Sequence, residues 1–355
     1  MAGMKNNVLS VRGLMKSFNG KPVFSGVDFD VGQREIVAFL GASGEGKTSL
    51  LKVIVGLLQP NAGSVAVNGR MLNDMPPEKR PIGMIFQDLT LFPFLTVHEN
   101  IAFGLRMQGV PRAEQNRRVD FFANTLKIAD KLNDYPKTLS HGQQQRVAFA
   151  RTFILNKAVV LLDEPFSAFD THLREDMYEV FRVLCEESGS SAILVTHNPV
   201  EAMMLSQKIG VLYDSSLLQF DSSLNVFHRP VHTAVAVLLG NKNALSFRRI
   251  NENTIEHNGK TIYLHDASGQ PHETLQKGVF TCHPDFVDVL APGSRKKNTL
   301  KGEIVAVKER GSKRTMIIAV DDARVHANVS PQRKLSVGEQ VAVHFPNEHV
   351  HIMRA

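Results

Sequence analysis

The stretch from Gly41 to Thr48 has the residue types and the spacing of a phosphate-binding loop. It reads Gly-Ala-Ser-Gly-Glu-Gly-Lys-Thr and fits the pattern G-x-x-x-x-G-K-[ST] at every fixed position. Its glycines, Gly41, Gly44 and Gly46, allow backbone N–H groups to surround a phosphate, and a helix that begins at the loop adds partial positive charge. Lys47 can then reach the outer phosphates of a nucleotide, and the Thr48 hydroxyl can bind Mg²⁺.

Polar side chains follow three further apolar segments and can complete such a site. Asp163 and Glu164 follow one of these segments, Gln87 follows a second and His197 follows a third. One carboxylate can bind Mg²⁺, and a second can orient the water that attacks a phosphate. Without the loop, the acid pair is weak evidence. From the residues alone, Gln87 and His197 are best explained as ordinary polar residues at strand ends. Joined to the loop, the acid pair becomes strong evidence for a nucleotide site.

Buried strands that alternate with helices would bring these residues together. The segments 36–40, 158–162 and 191–196 are largely or wholly apolar, as expected of parallel strands covered on both faces. The segment after the loop has apolar residues at helical spacing, and residues 111–132 have charges at helical spacing. We predict an α/β sheet, a fold that binds ligands beyond the carboxyl ends of its strands.

Phe18 precedes the loop in the sequence and has two explanations. The first residues predict two short strands, Val8–Val11 and Val27–Asp30, joined by a connector that contains Phe18. An aromatic residue upstream of a phosphate site can stack on adenine, because a flat ring suits a base. A contact with a small hydrophobic cluster explains Phe18 equally well, and both explanations stay open.

The character of the sequence changes after Asn241. Thr254–Tyr263 has the pattern of a β-hairpin around an Asn-Gly turn, and further short alternating segments follow up to Phe345. Short strands at this spacing are typical of a small barrel or sandwich. We therefore predict two domains, residues 1–240 with the α/β sheet and residues 241–355 with an all-β fold.

Composition limits the class of protein further. The chain has 355 residues, of which 43% are hydrophobic and 21% charged, and its formal net charge is +6. No apolar segment approaches about 18 residues and no signal-peptide core follows the N-terminus, so we expect a cytoplasmic chain without membrane spans. Cys185 and Cys282 lie far apart and match no metal or redox spacing.

With these motifs in this order, the chain resembles the ATPase subunit of a binding-protein-dependent ABC importer. Gly41–Thr48 resembles the Walker A motif of that family, and Val159–Glu164 its Walker B motif. Leu139–Gln143 resembles the signature motif and is suited to begin a helix, and Ser167–Asp170 resembles the D-loop. The all-β segment resembles the OB-like regulatory domain of these importers.

The resemblance implies a P-loop ABC ATPase cassette with a helical subdomain, followed by a smaller OB-like domain. It also implies ATP and Mg²⁺, and a homodimer of cassettes with ATP between the loop of one protomer and the signature motif of the other. It assigns catalytic roles to Glu164, His197 and Gln87, and metal binding to Thr48, Gln87 and Asp163. The nucleotide-binding residues that it implies are Phe18, Gly41, Ser43, Gly44, Gly46, Lys47, Thr48, Ser49, Ser140, Gly142 and Gln143.

Partners and a location also follow from the resemblance. ATP hydrolysis would drive separate integral membrane permease subunits, a periplasmic or extracellular solute-binding protein would act indirectly, and no nucleic acid would bind. The subunit would lie peripherally on the cytoplasmic face of the inner membrane. The apolar segment 91–97 corresponds to the region that binds a short permease helix in this family. Ordinary core packing is the alternative explanation for its apolar residues. Polyamines, ferric iron and similar small solutes are the expected cargo.

His141 departs from the family pattern, which usually has glycine at this position. It would place an imidazole in a tight turn that faces phosphate. One alternative is therefore that the protein is a nucleotide-binding regulator with little hydrolysis. A soluble ABC ATPase acting on the ribosome or nucleic acid is a further alternative. Such proteins usually have two cassettes or a coiled-coil insertion, whereas this sequence has one Walker A motif and no heptad array.

Overall fold

The computed structural model describes residues 7–265, 275–310, 313–333 and 335–354. Its contacts divide the chain into two units, with the division between Ser223 and Leu224. Residues 224–240 group with the second unit by these contacts, and the predicted boundary after residue 240 stays a prediction.

The first unit alternates strands and helices over most of its length. Its strands are β1 Asn7–Phe18, β2 Lys21–Gly32, β3 Ile36–Leu40, β4 Ala62–Val67, β5 Arg70–Met71, β6 Ile82–Ile85, β7 Val159–Asp163, β8 Ser191–Thr196, β9 Lys208–Tyr213 and β10 Ser216–Ser222. Its helices are α1 Lys47–Val55, α2 Val97–Met107, α3 Arg112–Thr125, α4 His141–Phe153, α5 Thr171–Ser188 and α6 Pro199–Leu205. Short 3₁₀ turns lie at Pro77–Lys79, Ala129–Lys131 and Pro136–Thr138.

The larger sheet of this unit has the strand order β10-β9-β3-β8-β7-β6. All neighbouring strands in it are parallel except β9 and β10. Every residue of β3 and β7 is buried, as their continuous apolar sequences predicted. Leu40 lies opposite Thr196, and Asp163 lies opposite Val195. The carboxyl ends of three strands therefore meet at one edge, and the predicted α/β sheet is confirmed.

The N-terminal strands are longer than the sequence predicted. β1 and β2 are each 12 residues long and pair within a four-stranded sheet of order β2-β1-β4-β5. Phe18 is therefore the last residue of β1 and does not lie in a connector. The register shifts between Val11 and Leu14 and again between Leu14 and Lys16. Such bulges interrupt the period-two pattern from which strand length was predicted, which explains the error.

The second unit is built from short antiparallel strands. Two short helices, α7 Ser223–His228 and α8 Thr233–Leu238, precede them. The strands are β11 Leu245–Asn251, β12 Thr254–His257, β13 Lys260–Tyr263, β14 Lys277–Thr281, β15 Asp288–Leu290, β16 Thr299–Arg310, β17 Lys313–Val320, β18 Ala323–Val329, β19 Gln340–His344 and β20 His351–Met353. A 3₁₀ turn at Asn347–His349 lies between the last two strands.

These strands form two five-stranded sheets, with orders β13-β12-β11-β14-β20 and β15-β19-β16-β17-β18. Apolar side chains from both sheets form one core, in which the rings of Phe280 and Phe345 meet edge to face. The predicted hairpin is present, and its turn residues Asn258 and Gly259 have φ of 47° and 76°. The all-β character of this segment is therefore confirmed. Within the ranges described above, no helix is both long enough and apolar enough to span a membrane.

Candidate functional site

The phosphate loop joins the buried end of β3 to the start of α1. Gly44 and Gly46 have φ of 92° and 81°, which residues with side chains rarely adopt. A Cβ at Gly41 would lie 2.7 Å from the carbonyl oxygen of Leu212. A Cβ at Gly46 would lie 2.7 Å from Cγ1 of Val23. Backbone conformation therefore requires glycine at positions 44 and 46, and close contacts require glycine at positions 41 and 46.

Lys47 is the first residue of α1 and is almost fully buried. Its Nζ donates hydrogen bonds of 2.8 Å to the carbonyl oxygens of Gly41 and Ala42. Burial lowers the pKa of Lys47 below the ordinary lysine value, and the carboxylates of Glu164 and Asp163 oppose that shift. The loop thus holds an ammonium group at a helix N-terminus, where both charges attract phosphate.

Thr48 and Asp163 come together from α1 and the end of β7. Thr48 Oγ1 donates a hydrogen bond of 3.0 Å to Asp163 Oδ1. Burial raises the pKa of Asp163, and the hydrogen bond from Thr48 opposes that shift. Hydroxyl and carboxylate oxygens are hard ligands of the kind that Mg²⁺ prefers. Two of the three predicted metal ligands are therefore in direct contact.

Glu164 and His197 form a second contact at the same edge of the sheet. Nδ1 of His197 lies 2.9 Å from Oε2 of Glu164 and 3.0 Å from Oε1. Glu164 has a φ of 47°, and its N–H donates to the carbonyl oxygen of Val195 at 3.0 Å. The hydrogen bond to the neighbouring strand β8 therefore holds Glu164 in a left-handed backbone conformation. This conformation fixes the direction of its Cα–Cβ bond. A carboxylate held beside an imidazole can orient water and accept a proton.

A cavity of about 550 Å³ connects most of these groups, but Gly41 and Asp163, although predicted as site residues, are not among its lining residues. Its walls are Phe18, Val23, Ser43, Gly44, Gly46, Lys47, Thr48, Ser49, Gln87, Glu164 and His197. All of these except Val23 were predicted as site residues. Val23 was missed because its place beside Gly46 depends on the pairing of β2, for which the sequence has no local signal. The volume lies within the range of small-molecule sites, about 300–1,000 Å³.

The signature residues lie elsewhere in the protomer. Ser140, Gly142 and Gln143 are at the start of α4 and are not among the lining residues of this cavity. Ser140 Oγ accepts from the Gln143 N–H at 3.3 Å, and Gln143 Oε1 accepts from the Ser140 N–H at 2.9 Å. These two side chains therefore cap the helix reciprocally.

His141 is the first residue of α4 and is exposed. Neither His141 nor Gly142 has a positive φ. The turn is already helical at this residue, so its backbone accepts a side chain there, and the effect of His141 on hydrolysis stays a prediction.

The apolar segment 91–97 is partly packed and partly exposed. The Phe92 ring lies 4.4 Å from that of Phe103, and the guanidinium of Arg151 lies 5.4 Å from its centroid. Buried Asn100 holds the segment by hydrogen bonds to both backbone groups of Phe92. Phe94 is 89% exposed. Packing against Phe103 therefore accounts for only part of Phe92, which is 38% exposed, and core packing does not explain Phe94.

Comparison with known proteins supplies the family. The family model for the ABC transporter matches residues 24–167, and the model for the TOBE domain matches residues 283–353. A relative from Clostridium novyi (strain NT), named spermidine/putrescine import ATP-binding protein PotA, is 30% identical over 353 residues, which is 99% of each chain. A solved structure described as the ATP binding subunit of an ABC transporter is 26% identical, with a TM-score of 0.57 over 62% of this chain and 91% of that one. This chain belongs to the family of ABC transporter ATP-binding subunits, and it is an ATPase with an OB-like TOBE domain after the cassette.

Proposed function

We propose that this ATPase drives the import of a polyamine through separate membrane permease subunits. One observation carries the proposal: Glu164, in contact with His197, lines the same cavity as the phosphate loop. Hydrolysis of a bound nucleotide requires a group that orients water next to the phosphates. The polyamine assignment is supported by the name of the relative from Clostridium novyi, which describes spermidine/putrescine import.

ATP is bound by the loop and by the aromatic residue at the end of β1. Backbone N–H groups between Ser43 and Ser49 surround the phosphates, and the Lys47 ammonium neutralises the outer ones. Phe18 lines the same cavity and stacks on adenine. The glycines are needed because any side chain at Gly41 or Gly46 would displace neighbouring atoms.

Mg²⁺ fits the oxygen atoms that meet behind the loop. Thr48 Oγ1 and Asp163 Oδ1 lie 3.0 Å apart, and burial raises the pKa of Asp163, so a nearby cation would stabilise the charged form. We assign the binding of the ion to Thr48, Asp163 and Gln87. When bound, Mg²⁺ neutralises charge on the phosphate oxygens.

Glu164 orients the attacking water and accepts its proton, since its carboxylate faces the cavity next to the loop. The Nδ1–H of His197 donates to that carboxylate and fixes its direction. His197 also contacts the γ-phosphate, and Gln87, on the wall of the same cavity, responds to its presence.

A second protomer completes the site in this proposal. Ser140, Gly142 and Gln143 lie outside the cavity of their own protomer, at the N-terminus of the 13-residue helix α4. A helix N-terminus favours a negative charge. We therefore assign these residues to the γ-phosphate of ATP held by the other protomer of a homodimer.

The permease docks on the surface around Phe94. Phe92, in the same segment, lines a cavity of about 430 Å³ together with Phe103, Leu155, Arg151 and Lys157. A largely apolar recess in the same segment as an exposed aromatic residue suits the apolar face of a short helix. Docking there would place the subunit peripherally on the cytoplasmic face of the membrane, with the solute-binding protein acting from the other side.

Transport with purified components tests the proposal. The chain is reconstituted in proteoliposomes with the permease subunits and solute-binding protein of its neighbouring genes, and ATP turnover is measured with spermidine, putrescine or ferric iron. We expect spermidine to be accumulated and to stimulate turnover several-fold. Stimulation by ferric iron alone would overturn the polyamine assignment, and no stimulation by any solute would contradict import.

Phe94→Asp tests the docking surface in the same system. The variant should lose the stimulation by solute and keep its ATP affinity, because the introduced carboxylate would have to be desolvated against the apolar face of the docked helix. Phe121→Asp is the matched control, since Phe121 is an exposed phenylalanine in α3. Equal behaviour of the two variants would show that the permease docks elsewhere.

A further inference from the structure

A buried carboxylate organises the segment that contains His197. Glu201, in α6, is only 4% exposed. Its Oε2 accepts a hydrogen bond of 2.6 Å from Thr196 Oγ1, and its Oε1 accepts one of 3.4 Å from Asn198 Nδ2. The Asn198 N–H in turn donates to Thr196 Oγ1 at 3.0 Å. The residues on both sides of His197 are therefore fixed by one carboxylate.

The same carboxylate is linked to a second segment of the site through Arg174. The Nε atom of Arg174 lies 4.0 Å from Glu201 Oε1, and its Nη2 donates to the carbonyl oxygen of Phe169 at 2.9 Å. Phe169 belongs to the segment that begins at Ser167, whose hydroxyl donates to the carbonyl oxygen of Glu164 at 2.9 Å. Glu201 is thus hydrogen-bonded to the residues around His197 and lies within ion-pair distance of Arg174, without a hydrogen bond from Arg174 Nε, on the side of Glu164.

A small cavity shows that these groups surround one space. Its volume is about 130 Å³, and it is lined by Glu164, Ser167, Arg174, Thr196, His197, Asn198 and Glu201. A buried carboxylate is costly unless its oxygens are satisfied, and hydrogen bonds to a charged acceptor are about twice as strong as neutral ones. The negative charge of Glu201 therefore makes its bond to Thr196 stiffer than a neutral amide would.

We propose that Glu201 is a positioning residue for ATP hydrolysis, which holds His197 against Glu164 and couples both to the Phe169 segment through Arg174. Glu201 does not line the nucleotide cavity, so its role is exerted through His197. The contact between His197 and Glu164 measures 2.9 Å, and a displacement of about 1 Å in such a contact can cost about 100-fold in rate. Loss of the Glu201 charge should therefore lower kcat and leave ATP binding unchanged. The inference rests on the proposed role of Glu164.

Steady-state ATP turnover of the full chain tests this role with two matched pairs of variants. Glu201→Gln keeps the shape and removes the charge, and Glu186→Gln does the same at an exposed position in α5. Thr196→Val removes the hydroxyl that binds Glu201, and Thr196→Ser keeps it. We expect kcat to fall about 10-fold in Glu201→Gln and Thr196→Val, with KM for ATP within about twofold of wild type. The two control variants should keep wild-type kcat.

Two results would overturn the inference. Wild-type kcat in Glu201→Gln would show that its charge is not needed, and equal losses in Thr196→Val and Thr196→Ser would show that the hydroxyl bond is not what matters. A merely structural role would raise KM and lower the melting temperature together with kcat, so both are measured. If Glu201→Gln does not fold, the comparison of Thr196→Val with Thr196→Ser carries the test of the bond to Glu201. Arg174→Gln tests the link to Phe169 separately, and wild-type kcat in that variant would overturn the coupling through Arg174.

Glu164→Gln is measured alongside to separate this inference from the proposed function. Turnover that survives in Glu164→Gln would overturn the proposed function of the site itself. Loss of turnover in Glu164→Gln with normal kcat in Glu201→Gln would overturn only the role of Glu201.

Discussion

Replacing Phe18 with alanine should weaken ATP binding by a predictable amount. Phe18 is 46% exposed at the end of β1, and Lys16 Nζ lies 4.9 Å from its ring centroid. Stacking of a base on an aromatic ring contributes about 1–3 kcal/mol when measured by alanine substitution. Because the ring is half exposed and Lys16 lies over one face, we expect about 1–2 kcal/mol, a loss of about 5- to 30-fold in affinity.

The assay is equilibrium competition of ATP and GTP against a fluorescent nucleotide. Phe18→Ala should lose affinity for both nucleotides, since stacking depends little on the identity of the base, and Phe18→Tyr should keep it. Phe121 is 45% exposed in α3, so Phe121→Ala is a matched control with wild-type affinity. Unchanged ATP affinity in Phe18→Ala would refute the stacking role. Equal losses in the two alanine variants would show a general effect on folding instead.

Three further predictions concern the loop, the signature turn and the domain boundary. Lys47→Ala should weaken ATP binding by about 100-fold or more. A charge about 4 Å from a phosphate contributes about 4 kcal/mol at an effective dielectric constant of 20. Wild-type affinity measured by calorimetry would contradict the loop assignment. His141→Gly should keep turnover within about twofold of wild type between pH 6 and 8, since residue 141 is already helical, and a several-fold faster variant would show that His141 obstructs the site. A chain ending at Gly240 and a chain ending at Ser223 should both bind ATP like the full chain. If both truncated chains precipitate while the full chain stays in solution, the domain boundary lies elsewhere.

The position of the nucleotide site was predictable because local pattern and topology agree there. The apolar segments before Gly41, Asp163 and His197 were predicted as buried strands, and parallel strands bring their carboxyl ends to one edge. The glycine motif then predicted which end of the sheet would bind phosphate. The contacts of Thr48 with Asp163 and of Glu164 with His197 follow from that register.

Other features depended on contacts that no local pattern records. Because bulges interrupt the alternating pattern of β1, the sequence did not predict the length of the first two strands. It therefore did not predict that Phe18 lies at the end of a strand. Val23 lies in the site because β2 pairs with β1. Glu201 acts partly through Arg174, which lies 27 positions before it in the sequence. By contrast, the sequence did predict that a helix begins after Ser140, and His141 is its first residue.

ATP binding and turnover by Glu164→Gln test the central claim most directly. Glutamine keeps the shape of the side chain and its contact with His197, but it cannot accept a proton from water. We predict near-wild-type ATP affinity, turnover reduced by about 100-fold or more, and an ATP-dependent dimer by size-exclusion chromatography. Turnover at the wild-type rate would contradict the account, because hydrolysis would then proceed without the carboxylate that lies beside the phosphate loop.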